Sequence, residues 1–260
     1  MSSIENRQNP EQAEPLAPFI AWTPLARSIW APFILPAITF TVLSAALYLT
    51  FIVAPDEKVM GAVYRILFFH VGAAVSTYLM VTILFIGSSF YLVTRDEGWD
   101  LAAAAAGTVA FACASMVLAS GMIWGHSAWN RWWNWEPRLV SFLILWFILF
   151  SYVVLRSFFR QQDEERRFAA ILGIIAAVNV PIVIFSIKLL SHQEQLHPEV
   201  VENQGLTDLR YVYGYISGCL AVLLVSILLW STALGQKILN YKISHLLRNG
   251  SFGADQGLRD

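Results

Sequence analysis

Residues 66–94 read ILFFHVGAAVSTYLMVTILFIGSSFYLVT, an apolar run that contains no Asp, Glu, Lys or Arg. Crossing the hydrocarbon layer of a bilayer, about 30 Å thick, takes about 20 apolar residues in a helix. The run is therefore long enough to span a membrane and to tilt or protrude from it. One histidine, His70, lies near its beginning, where an ionisable side chain inside a membrane segment is costly and therefore a functional candidate.

The rest of the chain also contains long apolar runs without charged residues. Hydrophobic residues make up 57% of the sequence and charged residues only 13%, whereas soluble domains have about 25% charged residues. We therefore expect an all-α integral membrane protein with six transmembrane helices in residues 31–235. A disordered N-terminal tail (1–30) and a C-terminal tail (236–260) would flank this membrane domain. The other five uncharged runs cover residues 32–54, 101–124, 139–155, 168–187 and 211–234.

The distribution of positive charge predicts the orientation of the helices. Loops rich in Lys and Arg stay in the cytoplasm, and the connection after the fourth run carries four arginines. With that loop inside, both termini are cytoplasmic and the protein lies in a bacterial inner membrane. Three segments then face outward, at residues 56–65, 124–138 and 188–210. The net charge of −1, with no cluster of basic residues, excludes a nucleic-acid interface.

Tryptophan is concentrated in one of the outward segments, which we expect to form a single loop on the outer face. Residues 124–138 read WGHSAWNRWWNWEPR and hold five of the ten tryptophans of the chain. One interpretation is an aromatic belt, since tryptophan favours the membrane interface. The alternative is a site for a large flat ligand, because aromatic faces stack on a planar macrocycle and guanidinium groups pair with its carboxylates. Arg131, Glu136 and Arg138 lie among the rings and favour the second interpretation.

This segment resembles the tryptophan-rich signature of haem-handling membrane proteins of cytochrome c biogenesis, most closely that of the haem exporter protein C family. Glu136 departs from the family pattern, which has Asp there, but it keeps the carboxylate. The resemblance continues at Tyr64, Arg65 and Ile66, at His70 and Val71, and at residues 178–181 (VNVP). The residues of the tryptophan segment that match are Trp124, Gly125, Trp129, Trp132, Trp133, Trp135, Arg138 and Leu139.

The resemblance implies a haem b group that is held non-covalently. His70 would be one axial ligand of the iron, although the same histidine could simply bond to a neighbouring helix. Arg65 would meet a propionate or only reach toward the interface. The second ligand is expected to be His197, with His192 as the alternative, and His126 occupies a variable position and receives no role. The expected haem contacts in the tryptophan segment are Trp124, Trp129, Trp132, Trp133, Trp135, Glu136 and Arg138.

Two absent motifs narrow the function. The chain has no G-x-x-x-x-G-K-[ST] motif for ATP hydrolysis and no C-x-x-C-H motif for covalent haem attachment. The family resemblance implies a haem-delivery component, not an enzyme, with a periplasmic haem chaperone, ATP-binding-cassette subunits and a small membrane partner. The alternatives are a cytochrome b-like electron-transfer subunit, with histidines deep between the helices, and a solute transporter or channel. The longer cytochrome c synthetases share the tryptophan motif but have more spans.

Overall fold

A computed structural model describes residues 31–58, 60–158, 163–189 and 208–256. The described residues contain six helices that are long and apolar enough to cross a membrane, which confirms the predicted all-α bundle. Pairing of the β type in these ranges is limited to a single bridge between Glu57 and Gly61. The helices are α1 (Ala31–Tyr48), α2 (Ile66–Thr94), α3 (Glu97–Trp129), α4 (Pro137–Phe158), α5 (Asp163–Leu189) and α6 (Leu209–Gln256).

Helix α3 is longer at both ends than the uncharged run that predicted it. It begins after Asp96, whose Oδ1 accepts the Gly98 N–H at 2.7 Å, so charged residues form its first turn. It ends at Asn130, which adopts a left-handed conformation with φ of 55°. The prediction that all five tryptophans of residues 124–138 share one loop is therefore wrong. Trp124 and Trp129 belong to the last two turns of α3, because helices end at caps and not where apolar residues run out.

Helix α2 lies at the centre of the bundle, packed against α3, α5 and α6, and α1 packs along α6. Glycines on α6 bring the α6 backbone close to α2. A Cβ atom on Gly218 would lie 3.0 Å from the carbonyl oxygen of Phe68, and one on Gly214 would lie 2.7 Å from the Phe68 ring. Small residues at such contacts let membrane helices approach closely. Phe68 is thereby held in the first turn of α2, two residues before His70.

A buried set of ion pairs joins helices α3, α4 and α5 at one end of the bundle. Arg156 donates to Asp100 at 2.8 Å and to Glu165 at 3.2 Å, and Arg166 pairs with Glu97 at 2.5 Å. We call this end the ion-pair face and the opposite end, which carries the tryptophans, the tryptophan face. Two arginines counted as loop charges in the sequence thus lie within the bundle and connect its helices.

Residue 235 was expected to be the boundary between the membrane domain and the C-terminal tail. Helix α6 shows no break there and continues to Gln256. The helix therefore extends well beyond the level of the ion pairs. The N-terminal tail predicted for residues 1–30 lies outside the described residues.

Candidate functional site

His70 lies in the second turn of α2 and faces α3. Its Nδ1 is 2.9 Å from the hydroxyl oxygen of Ser120. A Cβ atom on Gly121 would lie only 3.1 Å from His70 Cε1, so the imidazole rests on the α3 backbone at this glycine. The expectation that His70 bonds to a neighbouring helix therefore holds for one ring nitrogen. The other nitrogen, Nε2, has no hydrogen-bond partner among the described residues.

Trp124 lies one helical turn beyond the contact of His70 with α3. It follows Ser120 by four residues, which places both on one face of α3 about 6 Å apart along the helix axis. The Trp124 side chain is 8% exposed and meets Trp129 edge to face, with ring centroids 4.7 Å apart. Its indole N–H is buried and has no hydrogen-bond partner among the described residues. His70 and Trp124 thus form the floor of the tryptophan face.

The remaining tryptophans form the rim of this face. Trp133 and Trp135 meet edge to face at 5.9 Å, and Trp132 stacks on the imidazole of His126 at 4.1 Å. Trp132 is 59% exposed and Trp135 is 74% exposed, whereas the Trp133 indole N–H is buried and unpaired in the described part of the chain. The exposed fraction of the tryptophan side chains therefore increases from Trp124 at the floor to Trp132 and Trp135 at the rim.

His126, to which the sequence assigned no role, contacts one of the tryptophans of the predicted site. It lies in the last turn of α3, and its backbone carbonyl accepts the N–H of Asn130 at 2.9 Å, which closes the helix. The left-handed Asn130 then turns the chain so that Trp132 returns over His126. The sequence separation of His126 and Trp132 predicts their contact only when α3 is known to extend to Trp129.

Two charged residues of the predicted site, Glu136 and Arg65, form hydrogen bonds with nearby residues of the chain. Glu136 is 4% exposed, accepts a hydrogen bond from Asn134 Nδ2 at 2.7 Å and precedes α4. Arg65 donates to Asp56 Oδ1 and to the Ala54 carbonyl, each at 3.0 Å, and so closes the turn before α2. Arg65 therefore already has protein partners at the tryptophan face, beyond the two roles that the sequence suggested.

Both candidates for the second ligand, His192 and His197, lie outside the described residues. The helices on either side, α5 and α6, show at which face of the bundle the segment that contains both histidines begins and ends. Helix α5 begins at the ion-pair face with Glu165, so its other end at Leu189 lies at the tryptophan face. The connection from α5 to α6 therefore begins and ends at the tryptophan face, and the choice between the two histidines stays a prediction.

The described residues suit a haem group. Iron in haem takes an axial imidazole nitrogen, and His70 Nε2 is free of hydrogen bonds within the described chain. A planar macrocycle stacks on exposed aromatic rings such as those of Trp132 and Trp135. Haem propionates accept hydrogen bonds, and two buried indole N–H groups lack acceptors. The donor set and the unpaired polar atoms thus match a planar, iron-bearing, dicarboxylate ligand.

The fold and this site define a class: a multi-pass α-helical membrane protein with a half-buried histidine near a tryptophan-rich surface at one face. The family model described as "Heme exporter protein C" matches residues 17–248. The chain therefore belongs to the haem exporter protein C family, as the tryptophan segment indicated.

Individual relatives carry the same description. A heme exporter protein C of Bradyrhizobium diazoefficiens is 29% identical over 82% of this chain and 80% of its own length. The Paracoccus denitrificans protein of that name is 32% identical over 48% of this chain and 52% of its own length. The Escherichia coli protein of that name is 31% identical over 52% of this chain and 55% of its own length.

Proposed function

We propose that this protein binds haem b non-covalently at its tryptophan face and presents it to a periplasmic haem chaperone in cytochrome c maturation. The observation that carries the proposal is the position of His70, one turn below Trp124, with Nε2 unbonded in the described chain. Relatives described as heme exporters, and one of Marchantia polymorpha described as a putative cytochrome c biosynthesis protein, support this role.

Each residue of the site has a distinct part in holding the ligand. His70 Nε2 would bind the haem iron, and His197, with His192 as the alternative, would supply a second nitrogen ligand. The exposed rings of Trp132 and Trp135 would stack on the macrocycle, and the buried Trp124 would exclude water. Haem, when bound, would supply an iron whose protein ligands can be exchanged. The rim exposure of two tryptophans leaves an edge accessible to an acceptor protein.

Charged residues would fix the edge that carries the propionates. Arg138 lies in the first turn of α4, and Arg65 already reaches the turn at Asp56. Guanidinium groups pair with carboxylates through two parallel hydrogen bonds. Glu136 is buried and receives a hydrogen bond from Asn134, so its part is to hold residues 134–136 in place at the start of α4.

The orientation follows from the distribution of positive charge. We infer that the tryptophan face is periplasmic and both termini are cytoplasmic, because most Lys and Arg residues lie in segments on the ion-pair side. The location would be the inner membrane of a bacterium. Energy for any coupled step must come from partners, namely ATP-binding-cassette subunits, assisted by a small membrane partner, because the chain lacks an ATP-binding motif.

The positions of the histidines favour delivery over electron relay. An electron-transfer subunit holds haem between facing helices, deep in the bilayer. His70 is in the second turn of α2 and His126 is in the last turn of α3, so both lie near the tryptophan face. A ligand at this depth is accessible from outside the membrane, which suits transfer to another protein.

The absorption spectrum of the purified protein tests the proposal. Protein from haem-replete membranes should show a Soret band, and His70→Ala should lose most of it. His197→Ala should lose it as well, whereas His192→Ala and the control His245→Ala, near the far end of α6, should retain it. A wild-type protein without a Soret band, with and without the chaperone, would refute the proposal. Retention in His197→Ala with loss in His192→Ala would exchange the two candidate ligands.

A further inference from the structure

We propose that Ser120 is a positioning residue that holds His70 in the Nδ1–H tautomer, so that Nε2 presents its lone pair to the haem iron. This inference rests on the proposed function, because it assigns a role in haem ligation to a residue outside the tryptophan segment. Ser120 is separated from His70 by fifty residues in the sequence, and only the packing of α2 against α3 joins them.

The Ser120 hydroxyl already donates its hydrogen to a carbonyl oxygen of the preceding turn of α3. Ser120 Oγ lies 2.6 Å from the carbonyl oxygen of Met116 and 3.3 Å from that of Val117, in the preceding turn of α3. A hydroxyl has one hydrogen to donate, and a carbonyl oxygen can only accept. The Ser120 oxygen can therefore only accept at its contact with His70. The hydrogen of this 2.9 Å bond must sit on Nδ1.

The orientation of the ring is fixed by packing as well as by hydrogen bonding. At Gly121 the imidazole lies against the α3 backbone, within 3.1 Å of the position that a Cβ atom would occupy. Turning the ring over would place a carbon atom against the Ser120 oxygen and leave its lone pair unpaired. Loss of the hydrogen bond at this half-buried oxygen is unfavourable, so the observed orientation is favoured.

Fixing the tautomer has a direct effect on ligation. A neutral imidazole carries one hydrogen, and which nitrogen remains free is set by the hydrogen bond that the other makes. Metal-bound histidines usually donate their second N–H to such a partner, and loss of that partner costs about 10–100-fold in metal affinity. We therefore expect Ser120→Ala to lower the affinity for haem by this factor, with His70 still in place.

Nuclear magnetic resonance of the haem-free protein, with ¹⁵N-labelled histidine, tests the tautomer without any bound group. The wild type should show His70 with a protonated Nδ1 and an unprotonated Nε2, and Ser120→Ala should show both tautomers in exchange. Ser120→Thr keeps the hydroxyl and should preserve the wild-type pattern. The matched control is Ser127→Ala, because Ser127 makes the same type of bond to the Ile123 carbonyl at 3.0 Å on an exposed position.

Haem titration of the same four proteins supplies the second measurement. Only Ser120→Ala should show the 10–100-fold weaker affinity. Equal affinity and equal ¹⁵N shifts in Ser120→Ala and wild type would overturn the inference, and so would a wild-type His70 with its hydrogen on Nε2. An Nδ1–H tautomer that Ser120→Ala disrupts, in a wild type that binds no haem, would instead refute the proposed function. The two failures are therefore distinguishable.

Discussion

Substitution of Gly121 by alanine should displace the His70 ring, weaken haem binding and lower the free energy of unfolding by no more than about 2 kcal/mol. The new Cβ atom would lie 3.1 Å from His70 Cε1, whereas ordinary contacts are 3.4–4 Å. A retreat of the ring by about 0.3 Å would relieve the clash. The Nδ1 to Ser120 distance of 2.9 Å would then lengthen toward the usual upper value of about 3.2 Å.

The magnitude follows from three contributions. Overpacking costs about 1–3 kcal/mol, and replacing a helical glycine by alanine regains about 1 kcal/mol. The free energy of unfolding should therefore fall by about 0–2 kcal/mol. Weakening one hydrogen bond, with a net value of about 0.5–1.5 kcal/mol, should raise the haem dissociation constant by about 2- to 10-fold.

Haem titration and thermal unfolding by circular dichroism, both in the same detergent, measure the two effects separately. The matched control is Gly235→Ala on α6, because no atom lies within 4 Å of a Cβ built there. This control should bind haem as the wild type does. A haem dissociation constant that is the same in Gly121→Ala, Gly235→Ala and wild type would refute the assigned contact between His70 and α3.

Two further predictions concern the ends of the bundle. Arg156→Met should lower the free energy of unfolding by about 3–5 kcal/mol, since Glu165 loses the Arg156 guanidinium and Asp100 keeps only a 3.7 Å pair with Arg166. Denaturant titration measures this loss, and an effect no larger than that of Lys242→Met on the exposed part of α6 would contradict it. His126→Ala should free the Trp132 ring, because a stacked pair contributes about 0.5–1.5 kcal/mol. A fluorine label on Trp132 should give a narrower resonance, and an unchanged line width would show that the stack does not hold the ring.

The number of membrane helices followed from the sequence, and one helix has the approximate bounds that the sequence predicted. Residues 66–94 form α2 with the expected bounds, because a long uncharged segment in lipid must satisfy its backbone hydrogen bonds as a helix. The ends of α3 did not follow in the same way. Asp96 and Asn130 determine them through capping and a left-handed turn, and neither feature appears in a search for apolar residues.

In the candidate site too, some residues were indicated by the sequence and others only by the structure. The concentration of tryptophan and the histidine in an apolar run were visible in the sequence. Ser120 was not visible, since a serine facing a membrane helix is common and gains meaning only from its partner. His126 was visible but received no role, and its contact with Trp132 is found only in the structure. Arg156 was read as a loop charge, and its burial between two carboxylates became evident when α3, α4 and α5 were placed side by side.

The sequence by itself determined that six apolar segments cross a membrane and that tryptophan collects at one end, because hydrophobicity and residue type are local properties. The tertiary structure decided which nitrogen of His70 is free, which rings are exposed and which charges are paired. These properties depend on contacts between residues far apart in the chain, and they arise only when the helices of the bundle pack against one another. The arrangement of His70 under Trp124 is therefore a property of the bundle, while the presence of both residues is a property of the chain.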